Sequence, residues 1–202
     1  FAKSVFSSFE DTKNISKKKL NYTGPIVNTT LTRSDISLFE KQTIGFMGGS
    51  QGSKQINNYV DKFMETEYHL NFNIVHVTGK NNDKLEINSK NYRSVDFIEE
   101  MDEFYREIDI LVGRAGGGSL EAAYLGIPQI LIPYTHGTTS SHQVLNARYL
   151  EQKGFGFTVN SFEELINNIK NISENIKYKN FNMKNIPIGN FIISKELYEQ
   201  IN

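Results

Sequence analysis

Short apolar runs separated by stretches of helical period fill the middle of this chain, and that alternation restricts it to one architecture. Thr43-Ile44-Gly45-Phe46-Met47 reads as a strand, and Ile56, Tyr59, Val60, Phe63 and Met64 behind it recur at the three-four spacing of one helical face. The pattern repeats. Phe72-Asn73-Ile74-Val75-His76-Val77 is a strand ending in Thr78-Gly79. Val95-Asp96-Phe97-Ile98 is another, followed by Met101, Phe104, Tyr105 and Ile108 on one face of a helix. Ile110-Leu111-Val112 runs into a glycine-rich turn and a short helix; Gln129-Ile130-Leu131-Ile132-Pro133 is a buried strand, and residues 144–153 form a helix capped by Gly154. Strands and helices in strict alternation predict a doubly wound, Rossmann-like α/β domain, its parallel sheet covered on both faces.

Residues 30–41 read as a linker, so 42–202 are expected to form that domain and 1–29 to belong to a different unit. The opening Ala2-Lys3-Ser4-Val5-Phe6-Ser7-Ser8-Phe9 is strand-like without an upstream neighbour, and the first residue is Phe1. Part of a longer protein is the expectation.

Charge and cysteine content exclude several classes. Across 202 residues, 22 Lys and Arg nearly balance 23 Asp and Glu, so no overall field draws nucleic acid. Absence of cysteine removes disulfides, thiol nucleophiles and cysteine-ligated zinc together. No apolar run reaches the roughly 18 to 20 residues of a spanning helix, so any membrane contact is expected to be peripheral. His136 and His142 lie six positions apart without a carboxylate in metal-binding spacing, and no metal site is expected.

In a doubly wound sheet, ligands sit where the carboxyl ends of strands run into helix N-termini. Two glycine-rich turns fall at such places. Gly48-Gly49-Ser50-Gln51-Gly52-Ser53 follows the first strand of the domain; its small residues let backbone N–H groups approach an anion that the helix dipole also favours. It matches neither the P-loop nor the Gly-x-Gly-x-x-Gly fingerprint, and a plain strand-helix turn would look the same. Gly113-Arg114-Ala115-Gly116-Gly117-Gly118-Ser119-Leu120-Glu121 is the second turn. A carboxylate one turn into a helix, beside glycines that admit a ligand, can accept both hydroxyls of a ribose. Glu121 is so placed, although a glutamate there can also merely complement the helix dipole, with Ser119 as cap. A third group, Pro133-Tyr134-Thr135-His136, then Ser140-Ser141-His142-Gln143 and Asn146-Ala147, gathers amide and imidazole groups suited to sugar hydroxyls, or to capping a helix.

Taken together, these stretches resemble the lipid-linked peptidoglycan N-acetylglucosaminyltransferases of glycosyltransferase family 28, the MurG family. The likeness rests on Gly48 through Asn57, then Arg114-Ala115-Gly116 to Glu121-Ala122-Ala123, Gly126-Ile127-Pro128, His142-Gln143 and Asn146-Ala147, in that order, with Ser7 to Thr12 resembling the end of the family's N-terminal domain. The resemblance implies the C-terminal domain of a GT-B glycosyltransferase, which binds UDP-GlcNAc. Carried over, Gly49, Ser50, Gln51 and Gly52 face the diphosphate, Gly117, Gly118 and Ser119 add N–H donors, Ile98 meets uracil through its backbone, Glu121 takes the ribose hydroxyls, and His142 with Gln143 holds the GlcNAc hydroxyls.

It further implies an inverting transfer to a lipid-linked acceptor without a metal or resident cofactor. The acceptor groove, the membrane-facing patch and the catalytic base are then expected in an N-terminal domain, and the enzyme at the inner face of the bacterial plasma membrane, on its cytoplasmic side. Two departures stand out: the family's phosphate-contacting arginine has no counterpart in Thr23-Gly24-Pro25-Ile26-Val27-Asn28, with Arg33 nearby but off register, and the stretch from Gly116 to Glu121 is one residue short. Rival expectations are the donor-binding subunit of a split glycosyltransferase for capsule or lipid-linked sugar synthesis, a UDP-GlcNAc 2-epimerase, and a non-catalytic nucleotide-binding module.

Overall fold

The computed structural model describes residues 2–10, 12–33, 41–80, 82, 87–134, 140–177 and 188–201. The chain forms two compact units, Phe1–Thr29 with Lys184–Asn202, and Thr30–Met183.

In the first unit, β1 (Val5–Ser7) and β2 (Leu20–Tyr22) pair in parallel, Val5 opposite Leu20 and Ser7 opposite Tyr22. The strand expected over residues 2–9 is therefore shorter, and its partner lies downstream. Ser7 ends it: its hydroxyl donates to Phe9 O at 2.6 Å, a local bond that turns the backbone out of the extended path.

The second unit is built on β3 (Thr43–Met47), α1 (Lys54–Glu65), β4 (Asn73–Val77), β5 (Tyr92–Val95), α2 (Met101–Glu107) and β6 (Ile110–Gly113). It continues through α3 (Gly117–Tyr124), β7 (Gln129–Leu131), α4 (Ser140–Gln152), β8 (Gly156–Thr158) and α5 (Phe162–Lys177). The six strands form one sheet in the order β5-β4-β3-β6-β7-β8, every pair parallel. This is the Rossmann order, and the expected doubly wound domain.

Side-chain alternation explains why both faces are covered. Ile44, Phe46, Ile74, Ile110, Val112 and Ile130 point to one side, where Ile56, Val60 and Phe63 of α1 and Leu165, Ile169 and Ile172 of α5 close the core. Val75, Val77 and Leu111 point to the other, against Phe104 and Tyr105 of α2 and Ala122 of α3. Gly45 sets the spacing of this second layer, since a Cβ there would stand 2.7 Å from Phe104 Cζ and 2.8 Å from Ile108 Cγ2. Gly45→Ala is expected to cost about 1 to 3 kcal/mol by overpacking, read as a lower denaturation midpoint at an unchanged slope.

Two elements differ from the sequence expectation. The strand expected at residues 95–98 lies at Tyr92–Val95, because after Thr78 N and Gly79 N have bonded Val95 O and Asp96 O the neighbouring chain offers no further ladder. Beyond it, Ile98 packs on the α2-side core instead of extending the sheet. β8 and α5 lie outside the sequence expectation: β8 is a three-residue edge strand opening on glycine, while Leu165, Ile169 and Ile172 carry a helical spacing that marks α5.

Residues 184–202, expected within the second domain, group with the first 29. Their helix, α6 (Gly189–Ile201), is held there by Asn190, which accepts from Val27 N at 3.1 Å and donates to Val27 O at 2.8 Å. Among the described residues no helix is long and apolar enough to cross a membrane.

Candidate functional site

The sheet reverses its winding between β3 and β6, whose carboxyl ends lie side by side with Met47 opposite Gly113. Such a reversal opens a crevice for ligands. Both glycine-rich turns leave from it: residues 48–53 run from β3 into α1, and residues 114–116 from β6 into α3.

The first turn is a tight loop closed by Gly52 N donating to Gly49 O at 2.9 Å, with Ser50 and Gln51 exposed at its tip. Ser53 caps α1, its hydroxyl accepting from Ile56 N at 3.3 Å. From behind, Gly52 abuts Gly79 at the end of β4; both have positive φ, +73° and +94°, and a Cβ on Gly52 would stand 2.1 Å from Thr78 O. Asn82 latches the two loops, donating through Nδ2 to Gln51 O at 2.9 Å and to Thr78 O at 3.1 Å. The loop is thus held from outside itself.

Arg114 joins the two turns. Its guanidinium donates to Ser53 Oγ at 2.7 Å, Gln55 Oε1 at 3.1 Å and Ile132 O at 2.7 Å, and lies 5.3 Å from the Tyr134 ring centre. Burial lowers its pKa, yet a guanidinium keeps its charge at physiological pH. Helix dipoles add to that charge. α1, α3 and α4 carry no acidic residue in their first turns, whereas α2 has Asp102 and Glu103 there and α5 has Glu163 and Glu164. Within this unit the positive ends of α1, α3 and α4 are therefore left without a carboxylate, as is that of α6 in the other unit.

In the second turn, Gly116 caps α3 without a side chain, so the N–H groups of Gly117 and Gly118 open the helix. Ser119 is neither a cap nor an available donor. It is buried inside α3, its hydroxyl donating to Gly116 O at 2.6 Å and its N–H to the same oxygen at 3.2 Å. Glu121, half-buried one turn further, is held by Tyr105, whose hydroxyl stands 3.0 Å from Glu121 Oε2 and 3.0 Å from Gly118 O.

From α4, Asn146 donates to Ala115 O at 2.9 Å and draws the helix onto the second turn. Gln143 accepts from Tyr134 N at 2.8 Å, which assigns its carbonyl oxygen and leaves the amide NH2 as its donor. His142 is exposed in the same helix turn. Thr135 and His136 lie outside the described residues. Ile98 follows β5 and packs against the cluster that contains Tyr105. The structure thus gathers Gly49, Ser50, Gln51, Gly52, Gly117, Gly118, Glu121 and Gln143 beyond the carboxyl ends of β3, β6 and β7, with Ile98 packed on the α2-side core and Ser119 turned inward. Among the described residues no group of three or more His, Asp or Glu is placed to hold a metal.

A buried network that no sequence motif marks lies under the first loop. Asn57 donates through Nδ2 to Thr78 O at 3.2 Å, so its Oδ1 must accept, at 3.0 Å, from Nε2 of the fully buried His76. Nδ1 of His76 then accepts from the Tyr92 hydroxyl at 2.9 Å, and the imidazole is neutral. Burial lowers its pKa from 6.5 to about 4. As pH falls below 6.5 the unfolded chain gains a proton that the folded one refuses until about pH 4, so stability drops across that window and the loss levels off below it. The loss is expected to approach about 3 kcal/mol. Denaturant unfolding between pH 7 and 4 should show a shallower decline for His76→Gln than for the native chain; equal slopes would contradict this account of the imidazole.

Sheet order, crevice and turns define a Rossmann-like domain of the kind found in GT-B glycosyltransferases. Comparison places the family: the chain belongs to the glycosyltransferase family 28 C-terminal domain family, whose model matches residues 43–196. Among its relatives, UDP-N-acetylglucosamine–N-acetylmuramyl-(pentapeptide) pyrophosphoryl-undecaprenol N-acetylglucosamine transferase 3 of Bacillus cereus is 32% identical over 166 residues, covering 77% of this chain and 47% of the relative. The transferase of Thermosipho africanus named for the same reaction is 30% identical over 207 residues, all of this chain and 58% of the relative. The chain spans about half the length of the curated relatives it matches.

Among solved structures, Acinetobacter baumannii MurG superposes with a TM-score of 0.64 at 22% identity over 85% of this chain and 52% of that one. UDP-GlcNAc 2-epimerase from Neisseria meningitidis reaches 0.51 at 17% identity, over 79% of this chain and 44% of that one. At such identities the likeness speaks to fold alone.

Proposed function

We propose that this chain binds the nucleotide-sugar donor, UDP-GlcNAc, of an inverting N-acetylglucosaminyltransferase acting on a lipid-linked peptidoglycan precursor. The observation that carries the reading is the crevice at the sheet reversal: two glycine turns lead into helices free of first-turn carboxylates, Arg114 lies between them, and Glu121 stands at the second. In this reading the diphosphate lies on residues 49–52 and on the N–H groups of Gly117 and Gly118. Glu121 accepts from the ribose hydroxyls, Ile98 meets the uracil through its backbone, and Gln143 and His142 reach the sugar.

As the bond from the sugar C1 to the diphosphate oxygen breaks, negative charge grows on the departing UDP. Fixed helix dipoles and the Arg114 guanidinium are positioned to stabilise it, without a resident cofactor or divalent metal in the scheme. Acceptor recognition, the general base and a peripheral seat on the cytoplasmic face of the membrane are assigned to the part of the relatives' length that this chain does not span. The match of the family model through residues 43–196 favours this reading over a non-catalytic nucleotide module.

Amide chemical shifts on addition of UDP-GlcNAc test the placement. Changes are expected at residues 49–53, 98, 116–121 and 142–143, and should persist with EDTA. Changes confined to other strand ends, or appearing only with added Mg2+, would overturn it.

A further inference from the structure

We propose that Tyr105 is a positioning residue of this site, fixing the Glu121 carboxylate in the orientation that receives a ribose diol. The inference rests on the donor reading above and deepens it. Tyr105 is fully buried on α2, its ring 5.8 Å from that of Phe104, and only its hydroxyl reaches the first turn of α3. There it stands 3.0 Å from both Glu121 Oε2 and Gly118 O.

The reach depends on Gly118. A Cβ at that position would lie 3.2 Å from the phenol oxygen and 2.9 Å from Met47 Cε, so this glycine makes room for the tyrosine beneath the helix. Burial and then the neighbouring Glu121 charge raise the pKa of Tyr105 well above its ordinary value, and the phenol remains a donor.

One phenolic proton faces two acceptors. In the free protein it can bond the carboxylate and so remove rotamer freedom that a ligand would otherwise have to freeze. Once two ribose hydroxyls donate to Glu121, the same proton can turn to Gly118 O, and the phenol keeps a partner in either state. Tyr105 therefore acts on the nucleotide through Glu121, and only on the part that carries hydroxyls.

The test compares UDP with 2′,3′-dideoxy-UDP by calorimetric titration of the native chain, Tyr105→Phe, Glu121→Gln and the double variant. The native chain is expected to prefer UDP about tenfold or more. Tyr105→Phe should erase most of that preference while dideoxy-UDP affinity stays within about twofold. Glu121→Gln should remove the preference, and adding Tyr105→Phe to it should change nothing further. An unchanged preference in Tyr105→Phe, or equal weakening of both ligands, overturns the positioning role and leaves the donor reading standing. No preference in the native chain, or no UDP binding at millimolar concentration, overturns the donor reading and this inference with it. Should Tyr105→Phe not fold, the native chain with 13C-labelled tyrosine gives the answer: UDP must shift the Tyr105 Cζ resonance and dideoxy-UDP must not, and any other pattern overturns the proposal.

Discussion

Replacing Glu121 with alanine is expected to weaken UDP binding by about 1 to 3 kcal/mol, roughly fivefold to more than a hundredfold, while thermal unfolding stays near the native value. The binding loss follows from chemistry: an ionised carboxylate that accepts two hydroxyls makes charge-assisted bonds, about twice as strong as neutral ones. Stability is spared for a structural reason. Glu121 is only half-buried, and without it the Tyr105 hydroxyl still has Gly118 O at 3.0 Å, so no buried donor is orphaned. Calorimetric titration with UDP checks the first half and a melting curve the second. Native-like UDP affinity in a well-folded Glu121→Ala variant would remove the ribose assignment.

Gly52→Ala and Gly79→Ala are expected to have the largest effects on structure, each costing about 2 to 4 kcal/mol and abolishing nucleotide binding. Two penalties add at each position. Alanine strains a backbone at positive φ, and its Cβ strikes backbone of the facing loop: Thr78 O at 2.1 Å from position 52, and Gly52 Cα at 2.4 Å from position 79. Backbone cannot rotate aside as a side chain can, so the loops must part. Parting them breaks the bond from Asn82 to Gln51 O and unseats the residues expected to face the diphosphate. Denaturant unfolding and UDP titration measure the two consequences. Gly49→Ala is the control for stability alone, since residue 49 is itself placed under the diphosphate: φ there is +87°, but a Cβ would meet no protein atom within 4 Å, so only the local strain of about 1 kcal/mol adds to the unfolding free energy.

These effects separate what the sequence discloses from what only the fold reveals. The strands at β3, β4, β6 and β7 were legible because runs such as Ile44-Gly45-Phe46 and Ile110-Leu111-Val112 are short, apolar and bounded by glycine. Both glycine turns were legible as turns for the same reason, and Glu121 stood out as a carboxylate near the start of a helix. The groups that hold these parts were not.

Tyr105 reads from sequence as one more apolar position of α2, since nothing in its spacing says that its hydroxyl emerges beneath a helix 16 residues away. Arg114 and Ser53 are 61 residues apart and meet only because β6 lies beside β3, a neighbour relation that depends on sheet order. Gly79 looked like the end of a strand, and its pairing with Gly52 follows from the parallel register of β3 with β4. Ser119 failed in the opposite direction: as a small polar residue near a helix start it resembled a cap, but α3 begins two residues earlier and carries it inside. Local pattern names the elements, while the contacts between loops of different strands fix the site.

The most direct test of the central claim is calorimetric titration of the native chain with UDP-GlcNAc, UDP, ADP and NAD under one set of conditions. Selective binding of the two uridine nucleotides, with ADP and NAD at least tenfold weaker, is the predicted result. Equal binding of all four, or preference for ADP or NAD, would contradict it and leave a general nucleotide-binding module in its place.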